Sequence, residues 1–478
     1  MSPSDNTIKV RNPVTGEHDY EIAAQSANEI REIANRAKAA QKNWGILPAG
    51  ERGRILGLFA DAFERHANAI GDALSRDTGR RAFSHLEVII TVQILRTWEA
   101  NCESVFADLK SEGASQQVPT VHFRHVFVPY PLVGVISPWN VPLLLALIDS
   151  IPALAAGSAV ILKPSEVTPR FIEPVKAALG EVPELESLLN IVTGGPTTGA
   201  AVIDSADAIC FTGSVATGQK VAAHAASRFV PAFLELGGKD PAIVCDDASI
   251  ELAVRGIIRS AIGMTGQTCQ SLERIYVSEK IYDEFKTELL KQIDKLTLTC
   301  DEPESGDIGP LIFAKQVETI QSQVDEAIER GAVVLRGGQA RHEGGSWYPP
   351  TVLENVNHDM LIMREETFGP IIPLIKFTSE DEAIALANDT TFGLSGAVFS
   401  QDLKKAAAIG AQLEVGGVSI NDASLTGVVN DVEKNSFKLS GLGGSRMGRA
   451  GLTRFLRKRA LLTQTAEPVS VKLYSEGI

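Results

Sequence analysis

The sequence predicts an α/β protein of two or three domains, in which helices cover a parallel sheet. Short apolar segments alternate with helical segments from residue 132 onward, and most of these apolar segments run into small or polar residues. The 478-residue length exceeds what one ordinary hydrophobic core covers. Strands that alternate with helices form parallel sheets, which bind ligands at the carboxyl ends of their strands.

The elements follow one another in a regular order. Residues 26–80 show helical periodicity, and residues 115–130 alternate as a strand does. The strands that follow are "LVGVIS" (132–137), "AVILKP" (159–164), "LNIVTG" (189–194), "AICFTGS" (208–214) and "FLELGG" (233–238). The first four precede helices expected after Asn140, near 169–179, near 196–204 and near 215–227. A second α/β block begins after about residue 240, and the alternating tail 468–475 predicts a strand added to another sheet or subunit.

Composition excludes several partners. The chain carries 45 basic and 59 acidic residues, a net charge of −14, which argues against nucleic-acid or anionic-membrane binding. The apolar stretch 142–162 is interrupted by Asp149 and Pro152, so we expect a buried helix and strand rather than a membrane span. The start "MSPSDNTIKV" lacks the pattern of a secretory signal, which predicts a cytoplasmic protein.

The cysteines indicate free thiols in a reducing compartment. Their number is odd, their spacing is wide and they form no C-x-x-C pair; they are Cys102, Cys210, Cys245, Cys269 and Cys300. The close pair His122 and His125 would point to opposite faces of a strand, so we expect no metal site.

Four strand ends carry residues suited to a phosphate or a ribose. They are Ser137–Asn140, Lys163–Glu166, Gly194–Gly195 and Thr212–Ser214. The G-x-G-x-x-G fingerprint of dinucleotide sites is absent, but backbone N–H groups and helix N-termini at these turns can hold a phosphate. Lys163 and Glu166 suit ribose hydroxyls, although a solvated salt bridge explains the pair equally well.

Three residues suit covalent chemistry on a carbonyl. Cys269 lies among polar residues in the segment "GQTCQS", where a helix beginning after Thr268 would favour its thiolate. Glu235 lies between two leucines, so it either pairs with a cation or acts as a general base. Asn140 can donate its amide to an oxyanion. With no plausible histidine partner and no G-x-S-x-G elbow, this set fits capture of an aldehyde, hydride transfer and thioester hydrolysis.

The chain resembles the aldehyde dehydrogenase superfamily over almost its whole length. Six motifs occur in the family's order: "PWNVPL", "LKPSE", "FTGS", "LELGGKDP", "GQTC" and "EETFGP" (365–370). The resemblance implies that Cys269 is the nucleophile, that Asn140 and the Cys269 backbone N–H bind the oxyanion, and that Glu235 activates the deacylating water. The cofactor residues that it implies are Ile136, Ser137, Pro138, Trp139, Lys163, Ser165, Glu166, Gly195, Gly199, Phe211, Gly213, Ser214, Leu236, Gly237, Glu366 and Phe368.

The same resemblance implies a fold with three parts. A Rossmann-like NAD-binding domain covers residues 1–110 and 131–236, and an α/β catalytic domain covers 237–457. A small β element of residues 111–130 and 458–478 bridges the subunits of a homodimer or homotetramer. Glu166 favours NAD over NADP, because a carboxylate there would repel a 2′-phosphate.

The substrate is expected to be an apolar or aromatic aldehyde. A mostly apolar substrate funnel is predicted from four residues, Leu145, Ile148, Thr268 and Gln270. No cationic residue is evidently placed in it to bind a substrate carboxylate, and Arg446 remains the one candidate for that role. Two departures from the family, Lys438 and the glycine-rich segment around Arg446, put the identity of the aldehyde in doubt. A CoA-acylating enzyme and a non-catalytic relative are the alternatives. Glu235 opposes the first, and the presence of all three catalytic residues opposes the second.

Overall fold

Amphipathic helices come first, as the periodicity of residues 26–80 predicts. In the computed structural model, which describes residues 7–477, Ser26 and Glu29 form a capping box at the start of the first helix. The second helix ends at Gly79 in the left-handed conformation that glycine adopts at no steric cost. The helices are α1 Ala27–Trp44, α2 Ala49–Thr78, α3 Arg81–Asp108, α4 Pro142–Ala156, α5 Ile172–Leu179, α6 Pro183–Glu186, α7 Pro196–Ser205, α8 Val215–Ser227, α9 Ile250–Ala261, α10 Tyr282–Ile293, α11 Gln316–Glu329, α12 Leu361–Arg364, α13 Glu380–Asn388, α14 Leu403–Gly410, α15 Leu425–Val428 and α16 Ala450–Thr453.

Strands are short and distributed along the whole described chain. They are β1 Thr7–Arg11, β2 His18–Ala23, β3 Glu112–Ala114, β4 Val121–Pro129, β5 Leu132–Ile136, β6 Ala159–Lys163, β7 Leu189–Ile191, β8 Ala208–Thr212, β9 Ala232–Glu235, β10 Asp240–Val244, β11 Leu272–Ser278, β12 Val333–Arg336, β13 Arg341–Glu343, β14 Gly345–Trp347, β15 Thr351–Glu354, β16 Ile371–Phe377, β17 Phe392–Gly393, β18 Ser395–Phe399, β19 Gly417–Ile420, β20 Phe437–Lys438, β21 Gly441–Leu442 and β22 Leu456–Gln464.

The first large sheet has the order β21-β9-β8-β5-β6-β7. Its five strands from β5 to β9 are parallel, and β21 pairs antiparallel with β9. The predicted alternation of strands and helices over residues 132–238 is therefore confirmed. A parallel arrangement brings the carboxyl ends of β5, β6, β8 and β9 to one edge of the sheet.

The second large sheet has the order β12-β15-β16-β11-β10-β18-β19 and is parallel except at β12. Alternate residues of its central strands enter two different cores. Ala242 and Val244 pack on one face, whereas Ile243 packs on the other with Tyr276. Burial on both faces explains why these strands are almost wholly apolar in sequence.

A three-stranded antiparallel sheet, β22-β4-β3, joins the segment 112–129 to a strand near the C-terminus. The strand that pairs with β4 is Leu456–Gln464, with Leu456 opposite Pro129. The prediction of a strand at 468–475 is wrong, because residues Val471–Tyr474 form a short 3₁₀ turn with exposed side chains. The alternation of Val469, Val471 and Leu473 therefore does not reflect pairing within the chain.

The apolar stretch 142–162 forms α4 and the start of β6, as predicted. The α4 helix is buried along almost its entire length, and Asp149 within it is an ion-pair partner of Arg446 and Arg454. No helix among residues 7–477 has both the length and the apolar character needed to cross a membrane.

Candidate active site

A cavity of about 690 Å³ opens at the carboxyl edge of the first sheet. Every residue that the sequence assigned to the cofactor lines it, from Ile136 at the end of β5 to Phe368 in the second block. Cys269, Asn140 and Leu145 line the same cavity. The sequence did not single out the further lining residues Thr217, Lys220, His224, Phe313, Gln316 and Thr319.

The β6 and β8 ends supply polar groups to the cavity. Lys163 Nζ lies 2.7 Å from Glu166 Oε2, so the two side chains that suit a ribose also form an ion pair. Ser214 caps α8, its Oγ accepting the backbone N–H of Thr217. The exposed N-terminus of this 13-residue helix favours an anionic group.

Another part of the cavity lining is aromatic and acidic. Trp139 packs edge-on against Phe368, with ring centroids 5.4 Å apart. Glu366 Oε1 accepts the backbone N–H of Gly238 at 3.2 Å. Burial, together with the charge of Glu273, raises the pKa of Glu366 to about 8.

The residues present fit a dinucleotide. Ser137 Oγ is buried in the described structure without a hydrogen-bond partner, which is expected of a group that awaits a ligand. A Cβ on Gly195 would meet no atom within 4 Å, so the backbone there is open to a close approach. At Gly237, by contrast, a Cβ would lie 2.5 Å from Glu366 Oε2, so only glycine leaves that carboxylate in place.

The loop before Cys269 has an unusual backbone. Met264, Thr265 and Gly266 are consecutive left-handed residues, and a Cβ on Gly266 would lie 2.2 Å from the Gly369 carbonyl oxygen. Hydrogen bonds compensate for this strain: Thr265 Oγ1 donates to Gly309 O at 2.9 Å, and Gln267 Oε1 accepts the Ile312 N–H at 2.9 Å.

No helix begins at Cys269, contrary to the sequence-based expectation. The cysteine lies in a turn between the 3₁₀ segment Gly263–Gly266 and β11. A helix macrodipole is therefore not the source of positive potential at the thiol. Burial is the main influence, and it raises the pKa of Cys269 to about 12.

Asn140 is fixed beside the cysteine loop. Its Nδ2 donates to Gln267 O at 3.0 Å, and the side chain is buried. One hydrogen of the amide is used in this bond, which leaves the other for an oxyanion. Behind it, Glu87 accepts the N–H groups of Leu143 and Leu144 and so holds the start of α4.

Glu235 stands at the end of β9, half-buried, outside the lining of the cavity. Its Oε2 accepts a hydrogen bond from Ser436 Oγ at 2.8 Å. Its charge is one of those that act on the pKa of Cys269, so the carboxylate and the thiol share one electrostatic environment. No salt bridge to Glu235 is found in the described structure, although its charge is the one that most raises the pKa of Lys434.

The predicted substrate-funnel residues separate. Leu145 lines the cavity with Cys269, whereas Ile148 lines a second cavity of about 550 Å³ together with residues of α3. Gln270 Oε1 accepts a hydrogen bond from Thr426 Oγ1 at 2.7 Å, and Thr268 is half-buried beside the nucleophile. Neither Thr268 nor Gln270 lines either cavity.

The cations near the site differ from the expectation. Arg446 is buried and bound to Asp149 and Thr212, so its charge is already compensated. Lys438 donates to Asn388 O and Thr390 O, away from Cys269. Lys434 was not singled out, because "DVEKNSF" is typical of a solvated loop, yet it is the charged group that most strongly lowers the Cys269 pKa.

Comparison with known proteins decides the family. Residues 1–461 match the model of the aldehyde dehydrogenase family. The chain belongs to the aldehyde dehydrogenase family. No group of three or more His, Cys, Asp and Glu residues in the described part of the chain is placed to hold a metal ion.

Relatives of this aldehyde dehydrogenase span nearly its whole length. A putative NADP(+) succinate-semialdehyde dehydrogenase of Mycolicibacterium smegmatis is 33% identical, over 94% of this chain and 87% of its own. A mitochondrial succinate-semialdehyde dehydrogenase of Arabidopsis thaliana is 32% identical, over 94% and 85%.

Solved structures agree with the fold. A putative aldehyde dehydrogenase, PutA, of Anabaena variabilis superimposes with a TM-score of 0.94 at 46% identity, covering 97% of this chain and 99% of that one. A betaine aldehyde dehydrogenase of Staphylococcus aureus in complex with NAD+ gives a TM-score of 0.93 at 30% identity, covering 99% and 94%. The Rossmann-like first sheet and the second α/β block are therefore those of an aldehyde dehydrogenase.

Proposed function

We propose that this aldehyde dehydrogenase oxidises its aldehyde to the carboxylic acid through a thioester on Cys269. The observation that carries the proposal is the shared cavity: Cys269 and Asn140 line the same space as the expected cofactor residues. Glu235 directly precedes the lining residues Leu236 and Gly237, and its charge acts on the Cys269 pKa. A carboxylate near an acylated cysteine can activate a water molecule, so this arrangement favours transfer of the acyl group to water.

The chain's residues divide the reaction into two stages. The Cys269 sulfur attacks the aldehyde carbon, and the carbonyl electron pair moves to the oxygen, where Asn140 Nδ2 donates. A nicotinamide cofactor, held by the residues that line the cavity, would supply the acceptor for the hydride that leaves this carbon, and the product on Cys269 would be a thioester. Glu235 then takes a proton from water, the water oxygen attacks the acyl carbon, and the C–S bond breaks to return the thiolate and release the acid.

We propose NAD as the preferred cofactor. Glu166 lines the cavity, and its carboxylate would repel the 2′-phosphate of NADP. Lys220 and His224 on α8 line the same cavity, and their basic side chains would favour the 2′-phosphate of NADP. The ratio of kcat/KM for NAD and NADP tests the balance, and Glu166→Gln should move that ratio towards NADP.

For the substrate we propose an apolar or aromatic aldehyde, since Leu145 and Phe313 contribute to the lining of the cavity. The succinate-semialdehyde dehydrogenases among its relatives favour a carboxylated aldehyde as the second candidate. Initial rates with matched aliphatic, aromatic and carboxylated aldehydes decide between them. A kcat/KM at least about tenfold higher for the carboxylated compound would replace the first proposal with the second.

The proposed cysteine chemistry is tested by Cys269→Ser, with Cys300→Ser as the matched control on another half-buried free cysteine. NADH formation from a good aldehyde should vanish in the first variant and persist in the second. Near-normal turnover in Cys269→Ser would overturn the mechanism. If the product in wild type forms only when coenzyme A is added, the acylating alternative is correct.

We also propose a division of the chain into parts and an assembly. The cofactor domain comprises residues 1–110 and 131–236, the catalytic domain comprises 237–457, and residues 111–130 and 458–478 bridge subunits of a homodimer or homotetramer in the cytoplasm. Supporting the assembly, Leu461 and Leu462 on β22 are exposed. Light scattering on the purified protein tests the oligomer, and Leu462→Asp should dissociate it.

A further inference from the structure

Lys434 carries a buried ammonium group whose role the family mechanism leaves open. Its Nζ is shielded from solvent and has no hydrogen-bond partner in the described structure. Burial lowers the pKa of this lysine. A buried cation without a hydrogen-bond partner is costly, so negative charge is expected close by. The groups whose negative charge raises the pKa of this lysine are Glu235, Cys269 and Asp240, in that order.

The fold brings this side chain close to the loop that contains Cys269. Lys434 lies in the loop between α15 and β20, where its backbone N–H donates to Ser445 Oγ at 3.1 Å. Its Cδ lies 3.2 Å from the place where a Cβ on Gly417 would be, so the aliphatic stem passes over a glycine. Thr426, which bonds to the neighbour of Cys269, flanks the same glycine.

The carboxyl groups around Cys269 already have donors. Glu235 accepts from Ser436, Asp240 accepts from Ser395 Oγ and N–H, and Glu366 accepts from the Gly238 N–H. Beyond these acids, Arg446 also faces the cluster, and its charge is engaged by Asp149. The thiol of Cys269 is the nucleophile of this set, and it gains a negative charge when it ionises.

We propose that the Lys434 ammonium is the counterion that allows Cys269 to ionise. It takes the place of the helix N-terminus that the sequence predicted and the structure lacks. When the S–H proton leaves to a base, the sulfur retains the electron pair, and the new negative charge faces Lys434. Among the charges around Cys269, that of Lys434 acts most strongly to lower the thiol pKa. The charges of Asp240, Glu366 and Glu235 raise it.

Alkylation of the free enzyme by iodoacetamide tests the inference without any aldehyde or cofactor. The thiolate attacks the methylene carbon and iodide leaves with the C–I electron pair, so the rate at Cys269, located by peptide mass spectrometry, follows its ionisation. The variants are Lys434→Met, Lys434→Gln, Lys434→Arg and, as an exposed-charge control, Lys404→Met. Cys269→Ser supplies the baseline, and thermal unfolding verifies that each variant is folded.

Lys434→Met and Lys434→Gln should each slow alkylation of Cys269 at pH 7.5 about tenfold, which corresponds to a rise of about one unit in the thiol pKa. Lys434→Arg and Lys404→Met should keep the wild-type rate. A rate that is unchanged in both neutral variants would overturn the inference.

A second outcome would also overturn it. If Lys434 receives an anionic group of the substrate instead, its loss will lower kcat/KM for carboxylated aldehydes alone and leave the alkylation rate unchanged. The inference rests on the proposed role of Cys269, but the two fail separately. Turnover in Cys269→Ser would refute the proposed function, whereas the alkylation rate reports the Lys434–Cys269 interaction in either case.

Discussion

Ser436 Oγ donates a 2.8 Å hydrogen bond to Glu235 Oε2, although the two residues lie 201 positions apart in the chain. The contact forms because β21, which follows Ser436 closely, pairs antiparallel with β9, at whose end Glu235 stands. A general base must be aimed at its water, and this bond fixes one carboxylate oxygen while the other remains available. The glycine-rich C-terminal segment therefore helps to position the proposed base.

Removing this bond should affect deacylation selectively. In Ser436→Ala we expect the first turnover of NADH to keep its rate, while steady-state turnover falls by up to about tenfold, the cost of a hydrogen bond to a charged group. Stopped-flow absorbance measures both phases. Ser305→Ala, on an exposed loop, is the control, and a slower first turnover with unchanged steady state would contradict the role given to Ser436.

Loss of the amide at Asn140 should affect the first stage. An oxyanion donor contributes about 10²–10³ in rate, so Asn140→Ala should lower the rate of the first NADH turnover by that factor. Asn101→Ala, on the exposed face of α3, should match wild type. A first-turnover rate within about threefold of wild type would show that Asn140 mainly fixes Gln267 in the cysteine loop.

Asp149 should be a major determinant of stability. It is almost fully buried and pairs with Arg446 and Arg454, so Asp149→Asn leaves two buried guanidinium groups under-compensated. We expect a loss of about 3–5 kcal/mol in the free energy of unfolding, measured by urea denaturation. Asp72→Asn, at an exposed site, should change it by less than about 0.5 kcal/mol, and equal effects of the two would contradict this assignment.

Glu366 should make stability depend on pH. Its pKa is raised from 4.5 to about 8, so the folded protein holds this proton more tightly than the unfolded chain does. The free energy of unfolding therefore falls as pH rises from about 4.5 to about 8, and then levels off. Glu366→Gln should flatten that decline in thermal unfolding, whereas Glu365→Gln should not. Parallel curves for wild type and Glu366→Gln would contradict the raised pKa.

The first sheet and its cavity were predictable because their signals are local. An apolar run ending in Lys163-Pro164 or Gly213-Ser214 defines both a strand and a turn, and parallel pairing then brings those turns together. The environment of Cys269 was harder to predict from the sequence. Its loop follows three left-handed residues, including Met264 and Thr265, whose composition gives no sign of that conformation.

Lys434 shows why the rest of the candidate site could not be predicted from the sequence. In sequence it stands next to Glu433 in a polar stretch, and its burial depends on Gly417 and on the return of the chain to β9. Ile148 was predicted to share the substrate funnel with Leu145 because the two are spaced as neighbours on a helix. The helix forms as predicted, but the two side chains line different cavities. Contacts between distant segments, rather than local pattern, decide both positions.

The most direct test of the proposed chemistry is to trap the acyl-enzyme in Glu235→Gln. After mixing with NAD and a good aldehyde, a burst of one NADH per active site should precede turnover slowed by about 10²–10⁴. Intact-protein mass spectrometry at that point should show the aldehyde's mass less two hydrogens, with peptide mapping assigning it to Cys269. NADH formation with no adduct on Cys269, or with the adduct on another residue, would contradict the mechanism.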